Sequence, residues 1–100
     1  MIVACDFDGV ICQHEKIPSE TTIDNLKPVK QSKEAIKWLQ KKHLVYVLTN
    51  RPAGQVVPWL VKNGFKGLVV TDKKLPETKM IIDDRAIRFI SWSDTCKLLG

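Results

Sequence analysis

One hundred residues, 44% of them hydrophobic and with a formal charge of +5, make one domain (1–100) with a single core and no room for a second folded unit. The three cysteines, Cys5, Cys12 and Cys96, show no metal-ligand spacing, and an odd count without a signal sequence fits reduced thiols in a cytoplasm. The basic excess favours an anionic partner or simply solvates the surface.

The chain opens on Met1-Ile2-Val3-Ala4-Cys5, an apolar run that predicts a buried strand. It is too short for a signal h-region or a membrane span and no basic n-region precedes it, so the N-terminus is expected to be mature structure in a soluble, cytoplasmic protein. Asp6-Phe7-Asp8-Gly9 follows directly. The polar residues from Gln13 to about Pro28, with Pro18, Ser19, Thr21, Thr22 and Asn25, predict an irregular flap (13–28) that is too short to be a folded lid. His14 falls in this flap, near the strand-end acids.

From about Val29 to Lys42 the apolar period becomes helical, with Val29, Ala35, Ile36 and Leu39 on one side. Lys30, Lys33, Lys37 and Lys41 gather opposite, as a solvated face or a nucleic-acid track. Ser32 or the preceding turn is the expected cap, Glu34 suits an early turn, and His43 suits the helix end. A second strand is predicted at Leu44–Leu48, running into Thr49-Asn50-Arg51-Pro52, whose proline can open the next helix. That helix should carry Val56, Val57, Leu60 and Val61 and stop at Asn63-Gly64, where glycine suits a left-handed cap. Pro58 implies a start near Val57 or a kink. Gly67–Thr71 and Lys79–Ile82 read as the third and fourth strands, the last ending in Asp83-Asp84. Ser93 to Leu99 predicts a short closing helix, and Trp38, Trp59 and Trp92 read as packing residues.

Apolar runs alternating with helical patterns predict an α/β domain: a minimal Rossmann-like parallel sheet of four or five strands flanked by helices, with no cap domain. Acids at the carboxyl ends of neighbouring parallel strands fall in the crevice where such sheets bind ligands. Four carboxylates gathered there would be costly without a cation. Oxygen-only donors with no clustered His or Cys favour a hard ion, Mg²⁺ first, which bridges to substrate phosphate. The pattern points to metal-assisted phosphoryl transfer.

Asp6-Phe7-Asp8-Gly9-Val10, Thr49 after an apolar strand, an upstream lysine and Asp83-Asp84 after a later strand resemble, in order and over nearly the whole chain, the four motifs of the haloacid dehalogenase-like phosphatase superfamily. The tail Ile82-Asp83-Asp84-Arg85-Ala86-Ile87-Arg88-Phe89 is similar to that of its small, capless bacterial and phage members. The resemblance implies a Mg²⁺-dependent phosphatase acting through an aspartyl-phosphate. Asp6 would be the nucleophile, Asp8 the general acid and base, and Gly9 the tight turn beside them. Asp6, the Asp8 carbonyl, Asp83 and Asp84 would hold the metal. Thr49 would bind a phosphoryl oxygen, with Asn50 and Arg51 as possible substrate contacts from the same loop. For the phosphate-neutralising lysine the candidates are Lys73, Lys74 and Lys79; Lys74 is favoured, with Lys73 as alternate, because Leu75-Pro76 after it resembles the Lys-Pro element of relatives.

An open site without a lid favours a large phosphorylated substrate, such as a polynucleotide end or a phosphoprotein, or a lid lent by a partner subunit in an oligomer. The main alternative is a catalytically weak domain that keeps the phosphate site for binding or regulation. A phospho-accepting receiver needs its acceptor aspartate after a middle strand, where Thr49 and Thr71 stand; Asp72 is a weak substitute.

Overall fold

Val3, Ala4 and Cys5 have no exposed surface, so both faces of the first strand are covered, as in the interior of a parallel sheet. In the computed structural model, which describes residues 1–13, 23–83 and 96, this is β1 (Ile2–Asp6). It is followed by one 3₁₀ turn (Ile23–Asn25), α1 (Ser32–Gln40), β2 (Leu44–Leu48), α2 (Ala53–Lys62), β3 (Val70–Thr71) and β4 (Thr78–Ile82). The four strands form one sheet in the order β3-β2-β1-β4, and every pairing is parallel. The fold is therefore the α/β parallel sheet expected from the alternation of strands and helices. Among the described residues no helix is long and apolar enough to cross a membrane.

Strand alternation assigns the two faces. Val3, Cys5, Val45, Val47 and Ile82 share one core with Ala35, Ile36 and Leu39 of α1 and Val56, Trp59 and Leu60 of α2. The order β1, β2, β3 advances in one direction across the sheet, and right-handed crossovers then bring both helices to the same face. The return from β3 to β4 must run back past two strands on the other face. Tyr46, 1% exposed and out of phase with Val45 and Val47, meets that return: its hydroxyl accepts from the Leu75 N–H at 3.0 Å and bonds Thr78 Oγ1 at 2.7 Å.

Several boundaries differ from the sequence expectation. Val29 lies outside α1, and Gln31, in the left-handed region at φ 69°, precedes the first turn without a side-chain cap. Ser32 is not the cap; it is buried inside the first turn and its hydroxyl donates to the Ile11 carbonyl at 3.4 Å. The helix α2 runs through Pro58, on a solvent-facing side where water can serve the carbonyl that the proline leaves without an N–H. Its inward residues are Val56, Trp59 and Leu60, whereas Val57 is 42% and Val61 70% exposed. The indole of Trp59 takes the core position, edge-on to Phe7 at 5.0 Å and stacked on Phe65 at 5.9 Å.

Gly64 ends α2 as expected, at φ 83°, with the Gly64 N–H on the Val61 carbonyl and the Phe65 N–H on the Leu60 carbonyl, a Schellman closure. The third strand is shorter than Gly67–Thr71, because Gly67 turns at φ 71° and Val69 stays outside it, 64% exposed. The fourth begins one residue earlier than expected, at Thr78. The far end of the 13–28 segment is docked rather than loose: Ile23 is buried, Pro28 bridges Cys12, and the Trp59 indole N–H donates to the Leu26 carbonyl at 3.0 Å. Residues 14–22, with His14, lie outside the described residues. So does the predicted 93–99 helix except Cys96, which is helical and packs against the core. Trp92 also falls outside.

Candidate functional site

At the carboxyl end of β1 the chain turns within a few residues. Phe7, Val10, Ile11 and Cys12 are fully buried, and the Ile11 and Cys12 N–H groups both donate to the Phe7 carbonyl, at 3.0 and 2.9 Å. Gly9, at φ 82°, completes the turn by donating to the Cys12 carbonyl at 2.8 Å. The apolar residues anchor the turn below, and the half-buried Asp6 and Asp8 are left to line a cleft. The Asp6 carboxylate accepts the Phe7 N–H at 2.8 Å, which orients it at the strand end.

The neighbouring strand end supplies the rest. Thr49, 7% exposed, donates its N–H to the Thr71 carbonyl at 3.0 Å, and its hydroxyl oxygen accepts the Arg51 N–H at 3.2 Å. This turn aims Arg51 back at β1, where its Nε–H reaches both Asp8 carboxylate oxygens at 3.0 Å. Asp6, Asp8, Thr49, Asn50, Arg51, Pro52 and Gln55 enclose an open cleft of about 560 Å³. A smaller cavity of about 270 Å³ continues from it past Asn50, Arg51 and Pro52 to Thr71 and Asp72.

Of the residues singled out from sequence, Asp6, Asp8, Thr49, Asn50 and Arg51 come together in this cleft. Asp83 does not line it. It follows β4 directly, and since Cys5 pairs with Ile82, it stands at the strand end next to that of Asp6. Asp84 lies outside the described residues. Lys73 and Lys74 are exposed in the return between β3 and β4, and neither lines the cleft; Lys79 is exposed on β4. The Lys73 N–H donates to Thr71 Oγ1 at 3.2 Å, a local turn contact.

Among the described residues no three of His, Cys, Asp and Glu converge as a metal-binding group. Two strand-end carboxylates and a backbone carbonyl still suit Mg²⁺, which keeps several waters and takes one or two protein carboxylates. The donor set therefore fits the ion in chemistry. Next to Asp6, Cys5 is no candidate ligand or nucleophile: burial, and then the Asp6 carboxylate, push its thiol from 9.0 up to about 12.

Two features escaped the sequence reading. Arg51, expected from sequence only as a substrate contact, pairs with Asp8. Gln55, in the first turn of α2, also lines the cleft. The available signal was position: both follow β2 at the edge where parallel strands present ligand-binding loops.

The sequence matches no protein-family model, and comparison with curated proteins yields no significant relative. The structure is similar to that of a conserved protein coded by a locus of Bacteroides thetaiotaomicron, with a TM-score of 0.72 and 21% sequence identity, covering 99% of this chain and 88% of that one. At that identity the two chains share a fold, the small parallel α/β sheet.

Proposed function

We propose that the protein is a Mg²⁺-dependent phosphatase that cleaves a phosphate monoester through an aspartyl-phosphate. One observation carries this reading: Asp6 and Asp8 leave the end of an interior parallel strand together and share an open polar cleft with the buried Thr49. The site lies at the carboxyl ends of the neighbouring strands β1 and β2, the edge at which open α/β sheets bind ligands.

Asp6 attacks phosphorus, forming the acyl-phosphate bond as the bond to the leaving oxygen breaks. A protonated Asp8 gives its proton to that oxygen. In the second half, Asp8 takes a proton from the water that attacks phosphorus, and Asp6 is released with inorganic phosphate. Thr49 positions a phosphoryl oxygen from the next strand end, and Asn50 faces the same space. Bound Mg²⁺ would offset the repulsion between the carboxylate and the phosphate; Asp6, the Asp8 carbonyl, Asp83 and Asp84 would hold it. Lys73 and Lys74 stand in the β3–β4 return outside the cleft, and the positive charge among the described residues of its lining is Arg51. The openness of the cleft favours a large substrate whose bulk stays outside, or a lid from a partner subunit.

The test is release of inorganic phosphate from an aryl phosphate by the purified protein, with Mg²⁺ and with chelator. Steady turnover that chelation stops and Mg²⁺ restores is expected; turnover indifferent to chelator would reject the metal. The Asp8–Arg51 pair favours one second reading, a domain that binds phosphate without cleaving it, because an ion-paired Asp8 is held away from proton transfer. Mg²⁺-loaded protein that binds phosphate yet gives no turnover would decide for it.

A further inference from the structure

We infer that Arg51 is the cation that neutralises the substrate phosphate in this cleft, and that it does so by exchanging its resting partner, the Asp8 carboxylate, for the phosphoryl group. The inference deepens the phosphatase reading and rests on it for the identity of the anion. Among the described residues lining the cleft, Arg51 is the one with a positive charge. Lys73 and Lys74, to which sequence resemblance gave this task, stand outside that lining.

The geometry explains how one residue serves two states. The turn Thr49-Asn50-Arg51 is pinned at its base, where the Thr49 hydroxyl accepts the Arg51 N–H and the Thr49 N–H is tied to Thr71, so the Arg51 backbone has a set position beside β1. The guanidinium contacts Asp8 through a single nitrogen, Nε, shared between both oxygens at 3.0 Å, instead of the parallel two-nitrogen fork that makes Arg–carboxylate pairs strong. Both side chains are partly solvated, 25% and 29% exposed, which weakens the pair further. A phosphate dianion carries more charge than a carboxylate and accepts the guanidinium fork in full, so it outcompetes Asp8 for Arg51. The exchange also frees the Asp8 carboxylate, which takes up a proton from solvent and then faces the leaving oxygen. Substrate arrival thereby arms the proton donor, and without phosphate the ion pair holds it in reserve.

The experiment measures orthophosphate affinity by ³¹P NMR titration, together with kcat and KM on an aryl phosphate, for the wild type, Arg51→Gln, Arg51→Lys, Lys74→Gln, Asp8→Asn and the Arg51→Gln/Asp8→Asn double variant. Thermal unfolding checks that each is folded. Arg51→Gln should weaken phosphate binding and raise KM by about tenfold or more, a larger loss than Lys74→Gln causes, and Arg51→Lys should recover part of it. Asp8→Asn should tighten phosphate binding while Arg51 is present and do so much less in the double variant, a coupling that a purely structural ion pair would not produce. Unchanged phosphate affinity in folded Arg51→Gln protein, or a greater loss from Lys74→Gln, overturns the inference and leaves the phosphatase reading intact wherever turnover persists. A wild type that binds phosphate through Arg51 without hydrolysing it upholds the inference while rejecting the phosphatase.

Discussion

Asp6 and Asp8 stand two residues apart on one outgoing segment, yet their partners differ: a backbone N–H for Asp6, a guanidinium for Asp8. The Phe7 N–H orients the Asp6 carboxylate at the strand end, which suits a nucleophile. Asp6→Asn should therefore abolish phosphate release, and Asp8→Asn should slow it by roughly two to four orders of magnitude. Both proteins should unfold at temperatures near that of the wild type; turnover surviving in Asp6→Asn would defeat the mechanism. Cys5, immediately before Asp6, offers a test independent of activity. Its folded thiol is raised above the ordinary 9.0 to about 12, so the stability it contributes is complete below about pH 9 and is lost as pH rises toward 12. Urea midpoints measured between pH 8 and 11 should fall more steeply for the wild type than for Cys5→Ala. Parallel slopes would mean that the thiol is not shielded as described.

At the level of elements, α2 couples the core to the site. Its first turn lines the cleft through Gln55, its middle buries Trp59 against Phe7 in the turn after β1, and its end closes on Gly64. Trp59 also tethers the 23–28 segment through the Leu26 carbonyl. Trp59→Ala removes an indole that is 2% exposed, together with that hydrogen bond, and should cost about 3–5 kcal/mol in chemical denaturation. A loss under about 1 kcal/mol would show that the cavity collapses or that the ring is not core. The face that α2 turns inward follows from this one residue. Val57 and Val61 are apolar and correctly spaced for a stripe, but burying the indole removes far more surface from water, so the helix settles with Trp59 inside.

For the molecule as a whole, the charge balance bears on what can reach the cleft. Lys30, Lys33, Lys37 and Lys41 are all exposed, along α1 and at its ends, and the formal charge is +5. If this stripe and Arg51 guide substrate, a terminally phosphorylated oligonucleotide should be hydrolysed more efficiently than a mononucleotide at low salt. The advantage should shrink steeply as salt screens the surface. Equal efficiency on both, insensitive to salt, would reject the polynucleotide-end substrate and mark the lysines as a solvated face.

The sequence by itself determined β1, β2 and β4, the parallel α/β class, the left-handed glycine at the end of α2 and the meeting of Asp6, Asp8 and Thr49 at one edge. These follow from local signals: apolar runs of strand length, a glycine after a helical period, and acids placed immediately after strands. Tertiary structure alone decided the length of β3, the inward face of α2 and the partner of Asp8. An edge strand extends only as far as its neighbour pairs with it, a helix with two apolar sides turns the bulkier one inward, and Asp8 and Arg51 meet across 43 residues of chain because parallel pairing sets the ends of β1 and β2 side by side. No local pattern records a contact of that kind, since it depends on strand order.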